Sequence, residues 1–213
     1  MEYIKKPMAI EKGSMAIIES EMRAPQAFTQ DELKVVKRVI HTTADFEYES
    51  LIHFGKNPVE ALVEAIGQGC KIYADTNMIA VAVKRLLLKD YGCEIVNYVH
   101  DADVYAEAEA KGITRSMVAL EKAFKDDAIK IYLIGNAPTA LLKLMELSEA
   151  SQKQPAVIVG VPVGFVGAEE SKDALMATDH TYIAIKGRKG GSPVAAAIMN
   201  AALLIRKERD NEL

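Results

Sequence analysis

The chain has 213 residues, of which 50% are hydrophobic and 26% are charged, and its formal net charge is −4. This balance is typical of a globular protein with a sizeable core and excludes an intrinsically disordered chain. The weakly acidic balance and the lack of a long Lys/Arg run argue against nucleic acid as a partner. No uncharged apolar run reaches the roughly 18 residues that a membrane span needs, and no signal peptide is evident. We therefore expect a cytoplasmic protein, with Cys70 and Cys93 as reduced core thiols.

Helical periodicity dominates the first part of the chain. The pattern predicts a helix that ends near Pro25, followed by a second helix over residues 31–45. Asp31 and Glu32 lie in the first turn of that second helix, where negative charge suits the helix dipole. Residues 46–57 show no regular pattern, so no strand is predicted there. We expect the first helix to form an N-terminal helical arm.

From Pro58 onward, amphipathic helices alternate with short apolar strands. The strands are predicted at residues 71–75, 93–99, 128–135, 155–161 and 181–187. The helices are predicted at residues 58–69, 77–92, 101–127 with a break near Gly112, 137–152, after the Gly-rich segment that begins at 161, and 192–209. Apolar strands separated by helical crossovers indicate a parallel sheet covered on both faces. The sequence therefore predicts a single domain, residues 1–213, with an open α/β sandwich around a five-stranded parallel sheet.

Polar and glycine residues follow several of the predicted strands. Thr76, Asn136, Gly164 and the Arg188-Lys189 pair all stand where a strand gives way to a helix. In open α/β sheets the ligand binds beyond the carboxyl ends of the strands, and free N–H groups at helix starts suit anions. Thr76 and Asn136 would serve equally well as helix N-caps, and the basic pair as a solvated turn. We predict a ligand site at this edge, with Arg188 and Lys189 attracting carboxylates.

Several common site motifs are missing from the sequence. There is no GxxxxGK[ST] segment, and no GxGxxG at the first strand–helix turn, which counts against a nucleotide site. No GxSxG elbow is present, and no histidine pair has the HxxxH or HxH spacing of metal ligands. We therefore expect neither a protein-bound metal nor a cofactor.

His41 is the candidate for proton transfer. It lies at the end of the predicted helix over residues 31–45, beside Thr42, Thr43 and Asp45, which could orient its ring. Imidazole gives and recovers a proton near neutral pH. The alternative is a partly exposed histidine at a helix end. The other three histidines have no comparable polar neighbours in the sequence.

Four long segments carry a family resemblance. RVIHTTADFEY, IGNAPTAL, VGVPVGFVGAEESK and GRKGGSPVAAAIMNA resemble, in order and spacing, the blocks of the precorrin-8X methylmutase / cobalt-precorrin-8 methylmutase family. The resemblance covers essentially the whole chain, from the region of Ser14 to the last helix. It implies a flavodoxin-like three-layer α/β/α fold.

The resemblance also implies an activity. Family members shift a methyl group on ring C of a corrinoid, giving hydrogenobyrinate from metal-free precorrin-8X or cobyrinate from cobalt-precorrin-8. His41 would correspond to the catalytic histidine, with Ser14, Arg38, Thr76 and Arg115 around the macrocycle. Two alternatives stay open: a non-catalytic corrinoid carrier, and a flavodoxin-like nucleotide-binding module.

The resemblance implies a homodimer, and the N-terminal arm favours one too, because it carries more apolar surface than an appended helix usually leaves in water. Packing of the arm on its own domain is the alternative. The apolar residues of the arm are Met8, Ile10, Met15, Ile17, Ile18 and Met22.

Overall fold

A computed structural model describes residues 6–151 and 153–212, which form one six-stranded sheet flanked by helices. The strands are β1 (Ile52–Gly55), β2 (Lys71–Ala74), β3 (Glu94–Val96), β4 (Ile129–Ile134), β5 (Val157–Gly160) and β6 (Tyr182–Ile185). The helices are α1 (Pro7–Glu21), α2 (Gln30–Thr43), α3 (Tyr48–Leu51), α4 (Pro58–Gly67), α5 (Asn77–Ala82), α6 (Arg85–Asp90), α7 (Ala102–Lys111), α8 (Arg115–Phe124), α9 (Pro138–Ser151), α10 (Ala168–Met176) and α11 (Ser192–Glu212).

The sheet is mixed, with the order β1-β6-β5-β4-β2-β3. The five predicted strands are present and pair in parallel, but β1 adds a sixth strand that pairs antiparallel with β6. The prediction of a purely parallel, five-stranded sheet was therefore wrong in both strand count and strand direction. An edge strand needs no continuous apolar run, and in β1 only Ile52 is buried, whereas His53 is exposed.

Alternate residues of the central strands fill two separate cores, one on each face of the sheet. In β4, Ile131 and Leu133 pack with the core formed by α2, α4 and α11, while Tyr132 and Ile134 pack with α8, α9 and α10. Both sets are fully buried, which explains why the strand is apolar on both faces. The chain therefore forms three layers, helices–sheet–helices.

Local backbone geometry decides where two predicted helices break. The helix predicted over residues 77–92 is two helices, because Val83 adopts an extended conformation (ψ 141°) between α5 and α6. The predicted break near Gly112 is confirmed: this glycine closes α7 with φ 63°, a left-handed conformation that glycine tolerates. The strand predicted over residues 93–99 is limited to Glu94–Val96.

Helix α2 runs antiparallel to α11, which brings its C-terminal end to the site edge. Lys34 near the start of α2 pairs with Glu208 near the end of α11 at 2.9 Å. A capping box between Thr29 and Glu32 begins α2. Its C-terminal end therefore lies near the loop before α11, at the carboxyl ends of the parallel strands.

The N-terminal arm divides its apolar residues between two environments. Ile18 and Met22 are buried in the core that α2 and α11 share, so α1 packs on its own domain along this face. Met8, Ile10 and Ile17 remain exposed. Burial against its own domain thus accounts for only part of the apolar surface of α1.

Candidate functional site

A buried carboxylate organises the edge where β2 and β4 end. Asp75 follows β2 and accepts hydrogen bonds from the backbone N–H groups of Gly135, Asn136 and Ala137 at 3.0, 2.8 and 2.8 Å. Burial raises the pKa of Asp75, and these N–H groups oppose that rise. Sequence reasoning missed Asp75, because its partners lie about 60 residues away.

Thr76, the next residue, lies where the sequence predicts it and caps a helix. Its hydroxyl accepts the N–H of Ile79 in the first turn of α5, and it lies 2.9 Å from the hydroxyl of Ser192 at the start of α11. The hydroxyl pair joins the turn after β2 to the start of α11. Thr76 therefore combines the N-cap role with a position at the carboxyl edge.

The loops after β5 and β6 form one unit at the same edge. The N–H of Gly164 donates to the carbonyl of Arg188 at 3.1 Å, and the N–H of Gly191 donates to the carbonyl of Val161 at 2.8 Å. The guanidinium of Arg188 is exposed and lies 5.5 Å from the centre of the Phe165 ring. Gly164 and Arg188, which the sequence predicts as site residues, are thus brought together.

Lys189 is already paired within the protein. Its ammonium donates to the carboxylates of Asp45 and of Glu47, the latter at 2.6 Å, and it lies over the ring of Tyr48. These bonds raise the pKa of Lys189 and hold the pKa of Asp45 below its usual range. Lys189 therefore connects the β6–α11 loop to the segment that follows α2, whereas the guanidinium of Arg188 lies over the ring of Phe165.

His41 is exposed in the last turn of α2, close to a group of charges that includes the predicted Arg38 and two residues that sequence reasoning missed, Glu11 and Lys84. Arg38, one turn earlier, pairs with Glu11 of α1 at 2.8 Å. That hydrogen bond holds the pKa of Glu11 below its usual range, and the charges of Lys84 and His41 add to the effect. The structure thus gathers Arg38, His41 and Lys84 around one carboxylate.

The polar neighbours that the sequence offers as orienting groups for His41 have other partners. Thr42 and Thr43 donate their hydroxyls to the carbonyls of Arg38 and Val39, one turn back in α2. Asp45 is held by Lys189. Intrahelical and cross-loop bonds thus engage all three side chains, and their role in orienting the ring stays a prediction.

Ser14 belongs to the arm side of the site. It is half-buried in α1, one turn after Glu11, and donates its hydroxyl to the carbonyl of Ile10 at 2.9 Å. This places it beside the charges gathered around Glu11, on the helix that packs against α2.

Arg115 and Asn136 lie at the starts of two neighbouring helices, α8 and α9, at the other end of the site edge. Thr114, which caps α8, lies 3.2 Å from Thr139 in the first turn of α9, so the two helices begin side by side. Arg115 is exposed over the ring of Tyr105 at 4.3 Å, and Asn136 is exposed just before α9. No described contact joins these two residues to His41.

Other sites receive little support from the described residues. Within residues 6–151 and 153–212, no three His, Cys, Asp or Glu side chains gather as they would around a metal ion. None of the helices in this part of the chain is long and apolar enough to cross a membrane. A cavity of about 660 Å³ lined by Lys56 and His180 opens at the amino ends of β5 and β6, at the opposite edge from the polar loops.

The fold and the polar edge define an α/β protein with a candidate ligand site beyond the carboxyl ends of its parallel strands. The profile of the precorrin-8X methylmutase family matches residues 9–205. The cobalt-precorrin-8 methylmutase of Salmonella typhimurium is 42% identical over 213 residues, covering 98% of this chain and 100% of that protein. The precorrin-8X methylmutase of Pseudomonas aeruginosa is 37% identical over 203 residues, covering 94% of this chain and 97% of that protein.

A solved structure agrees with these sequence relatives. The precorrin-8X methylmutase of Thermus thermophilus superimposes with a TM-score of 0.87 at 38% identity, covering 95% of this chain and 97% of that chain. This chain belongs to the precorrin-8X methylmutase family. It is an isomerase of cobalamin biosynthesis that catalyses the migration of a methyl group.

Proposed function

We propose that this enzyme moves a methyl group between neighbouring carbons of ring C in a corrinoid, either metal-free precorrin-8X or its cobalt-bearing analogue. The products are hydrogenobyrinate and cobyrinate, respectively. The observation that carries the proposal is the match to relatives of both names over nearly the whole chain. Cobalt, when present, arrives inside the substrate. The reaction is intramolecular, so it needs no nucleophile and no electron transfer.

His41 is the proton donor in this proposal. Protonation of the macrocycle where electron density gathers lowers the barrier for migration. The methyl group leaves one carbon and bonds to its neighbour, and the proton then returns to the imidazole. Glu11 supports the assignment, because the charge of His41 is among those that lower the pKa of Glu11, which places the ring close to a carboxylate of the N-terminal arm. Positioned acid catalysis of this kind typically contributes ~10²–10⁴-fold to the rate.

The acidic arms of the substrate need cations and hydrogen-bond donors around the slot. Arg38, Arg115 and Arg188 are the proposed charged anchors, with Ser14, Thr76, Asn136 and the backbone at Gly164 as polar contacts; Lys189 holds the Arg188 loop in place. Local cations can attract an anionic ligand to a protein whose net charge is −4.

The hydrogen bonds at the topological switch point between β2 and β4 argue against the alternative of a nucleotide-binding module. A phosphate would need free N–H groups there. The N–H groups of residues 135–137 already donate to Asp75, and that of Ile79 donates to Thr76. The protein's own side chains thus occupy the donors that a phosphate would use. Conversion of a corrinoid substrate by the purified protein would exclude the alternative of a non-catalytic corrinoid carrier.

The test of the catalytic assignment is His41→Asn, with His53→Asn on the exposed edge strand β1 as the matched control. His41→Asn keeps a polar side chain but removes the titrating nitrogen. We expect it to bind product and to lose at least about a hundredfold in kcat, while the control keeps the parent rate. Conversion is followed by absorbance with both metal-free and cobalt-bearing substrates. Turnover of His41→Asn near the parent rate would contradict the assignment, and a parent that binds but never converts either substrate would favour the carrier.

The assembly and location of the enzyme are part of the proposal. The exposed Met8, Ile10 and Ile17 of α1 support a homodimer, because burying them against a partner would remove apolar surface from water. Two free buried thiols, Cys70 and Cys93, suit the reducing cytoplasm. Light scattering that finds a stable monomer at micromolar concentration would exclude the dimer.

The strand order supports a more specific fold assignment. Counted in chain order, the five parallel strands follow the order 2-1-3-4-5, which supports a flavodoxin-like arrangement with β1 as an added edge strand. We treat residues 1–213 as one domain.

A further inference from the structure

A lysine buried beneath the Arg188 loop has no part in the function described so far. Lys172 lies in α10 with its side chain fully buried, and it is one of only five buried polar or charged residues in the part of the chain that the structure describes. Lysine is almost never fully buried without a partner, because desolvating an ammonium is costly. Such a burial calls for a specific interaction.

The partner of Lys172 is the backbone of the site loop. Its Nζ donates to the carbonyl oxygen of Lys189 at 2.7 Å. Among the described residues, no carboxylate lies within salt-bridge distance of this ammonium, and Glu169 and Asp173 of α10 act on it only at longer range. Burial lowers the pKa of Lys172 to about 8. The ammonium is therefore committed to the loop and not to an ion pair.

Other hydrogen bonds and ion pairs hold the backbone of Arg188 and the residues beside it. The carbonyl of Arg188 accepts from Gly164, and Gly191 donates to Val161. The ammonium of Lys189 is anchored to Asp45 and Glu47 on the far side. Within the described part of the chain, Lys172 is the donor to the carbonyl of Lys189, so it fixes the peptide between Lys189 and Gly190, one residue beyond Arg188.

We propose that Lys172 is a positioning residue: through the carbonyl of Lys189 it fixes the loop that carries Arg188, and so directs that guanidinium at a carboxylate arm of the substrate. The inference rests on the proposed function, since it presumes that Arg188 binds the substrate. Positioning of this kind matters because a charged group gains most when its geometry is set before the ligand arrives.

The experiment compares Lys172→Met, Arg188→Ala and the double variant in the full-length enzyme. Methionine keeps the length and apolar bulk of the side chain but cannot donate a hydrogen bond. We expect Arg188→Ala to raise KM up to about fivefold, the range of an exposed ion pair. Lys172→Met should raise KM by no more than that, with kcat within twofold of the parent. The double variant should match Arg188→Ala alone, because both changes act through one guanidinium.

A matched control separates positioning from general stability. Lys153 also donates to a backbone carbonyl at 2.7 Å, that of Phe124, but lies before β5 at the amino edge of the sheet. Lys153→Met should leave KM unchanged. Lys172→Gln, which keeps a neutral donor, should recover part of the affinity.

Several results would overturn the proposal. If Arg188→Ala raises KM and Lys172→Met does not, Lys172 has no positioning role although the proposed function stands. Independent, multiplicative effects in the double variant would show that Lys172 acts elsewhere. If neither Lys172 variant is soluble, the residue serves folding alone. If Arg188→Ala leaves KM unchanged, the assignment of Arg188 fails first and the inference fails with it.

Discussion

Replacing Asp75 by Asn tests the organisation of the β2–β4 edge most directly. The carboxylate accepts three backbone N–H groups, one on Oδ1 and two on Oδ2, and is almost completely buried. Asparagine has one carbonyl oxygen and an NH₂ group in its place. In the better of its two orientations it keeps the two N–H groups at the Oδ2 position and turns a donor toward Gly135.

The expected cost follows from these contacts. One buried N–H that loses its acceptor costs about 1–3 kcal/mol, and two hydrogen bonds lose the strength that a charged acceptor gives. We therefore expect Asp75→Asn to lower the free energy of unfolding by about 3 kcal/mol. That is a large share of the roughly 5–15 kcal/mol that stabilises a typical domain.

Urea unfolding followed by far-UV circular dichroism measures this change, since the chain has no Trp to report by fluorescence. Asp103→Asn is the matched control, because the exposed Asp103 pairs only with Lys122 and a few nearby N–H groups at the start of α7. We expect the control to unfold close to the parent, because an exposed ion pair contributes little to stability. If Asp75→Asn unfolds within about 0.5 kcal/mol of the parent, the carboxylate does not hold the turn and our reading of this edge is wrong.

Three further predictions concern the loop between β6 and α11. Gly190 has φ 147°, and a Cβ there would collide with a neighbouring carbonyl oxygen, so Gly190→Ala should lower the free energy of unfolding by more than about 2 kcal/mol. Gly112 has open space around it, so Gly112→Ala should lower it by about 1 kcal/mol. Thermal unfolding of the two variants compares these costs. Because burial holds the Lys172 pKa at about 8, below the 10.4 of an unfolded lysine, the unfolded chain binds more protons between these values. The stability of the parent relative to Lys172→Met should therefore rise from pH 8 to pH 10, by up to about 3 kcal/mol, and a flat difference in urea titrations would contradict the burial. Arg188→Ala should weaken corrinoid binding most at low salt, while Lys189→Met, whose ammonium is already paired, should show less salt dependence across a titration series.

Periodicity along the chain was enough to predict most of the fold. Residues 131–134 of β4 form a continuous apolar run because both faces of the strand are buried there, and that signal is contained in four consecutive residues. The break at Gly112 is equally local, since one glycine adopts a left-handed conformation. The same reasoning placed Thr76, Asn136, Gly164 and Arg188 at strand ends, and the structure brings those ends to one edge.

The contacts that organise the site could not be predicted from the sequence. β1 has no apolar run, and it becomes a strand only because β6 offers it an open edge. Glu11 joins Arg38 and His41 through the packing of α1 on α2, and the donors that Asp75 binds lie about 60 residues further along the chain. Lys189 meets Asp45 across 144 residues and reverses the expectation of a free cation.

Composition and local pattern thus determined which segments become helices and strands, because each depends on its own residues and their burial. Tertiary structure alone decided which charges face one another. From the sequence alone, Lys172 would be assigned to a solvated helix face. In the structure, the packing of α10 places its side chain in the interior, beneath the loop that carries Arg188. The physical reason is that hydrogen bonds and ion pairs depend on distances of about 3 Å between atoms that folding, and not chain order, brings together.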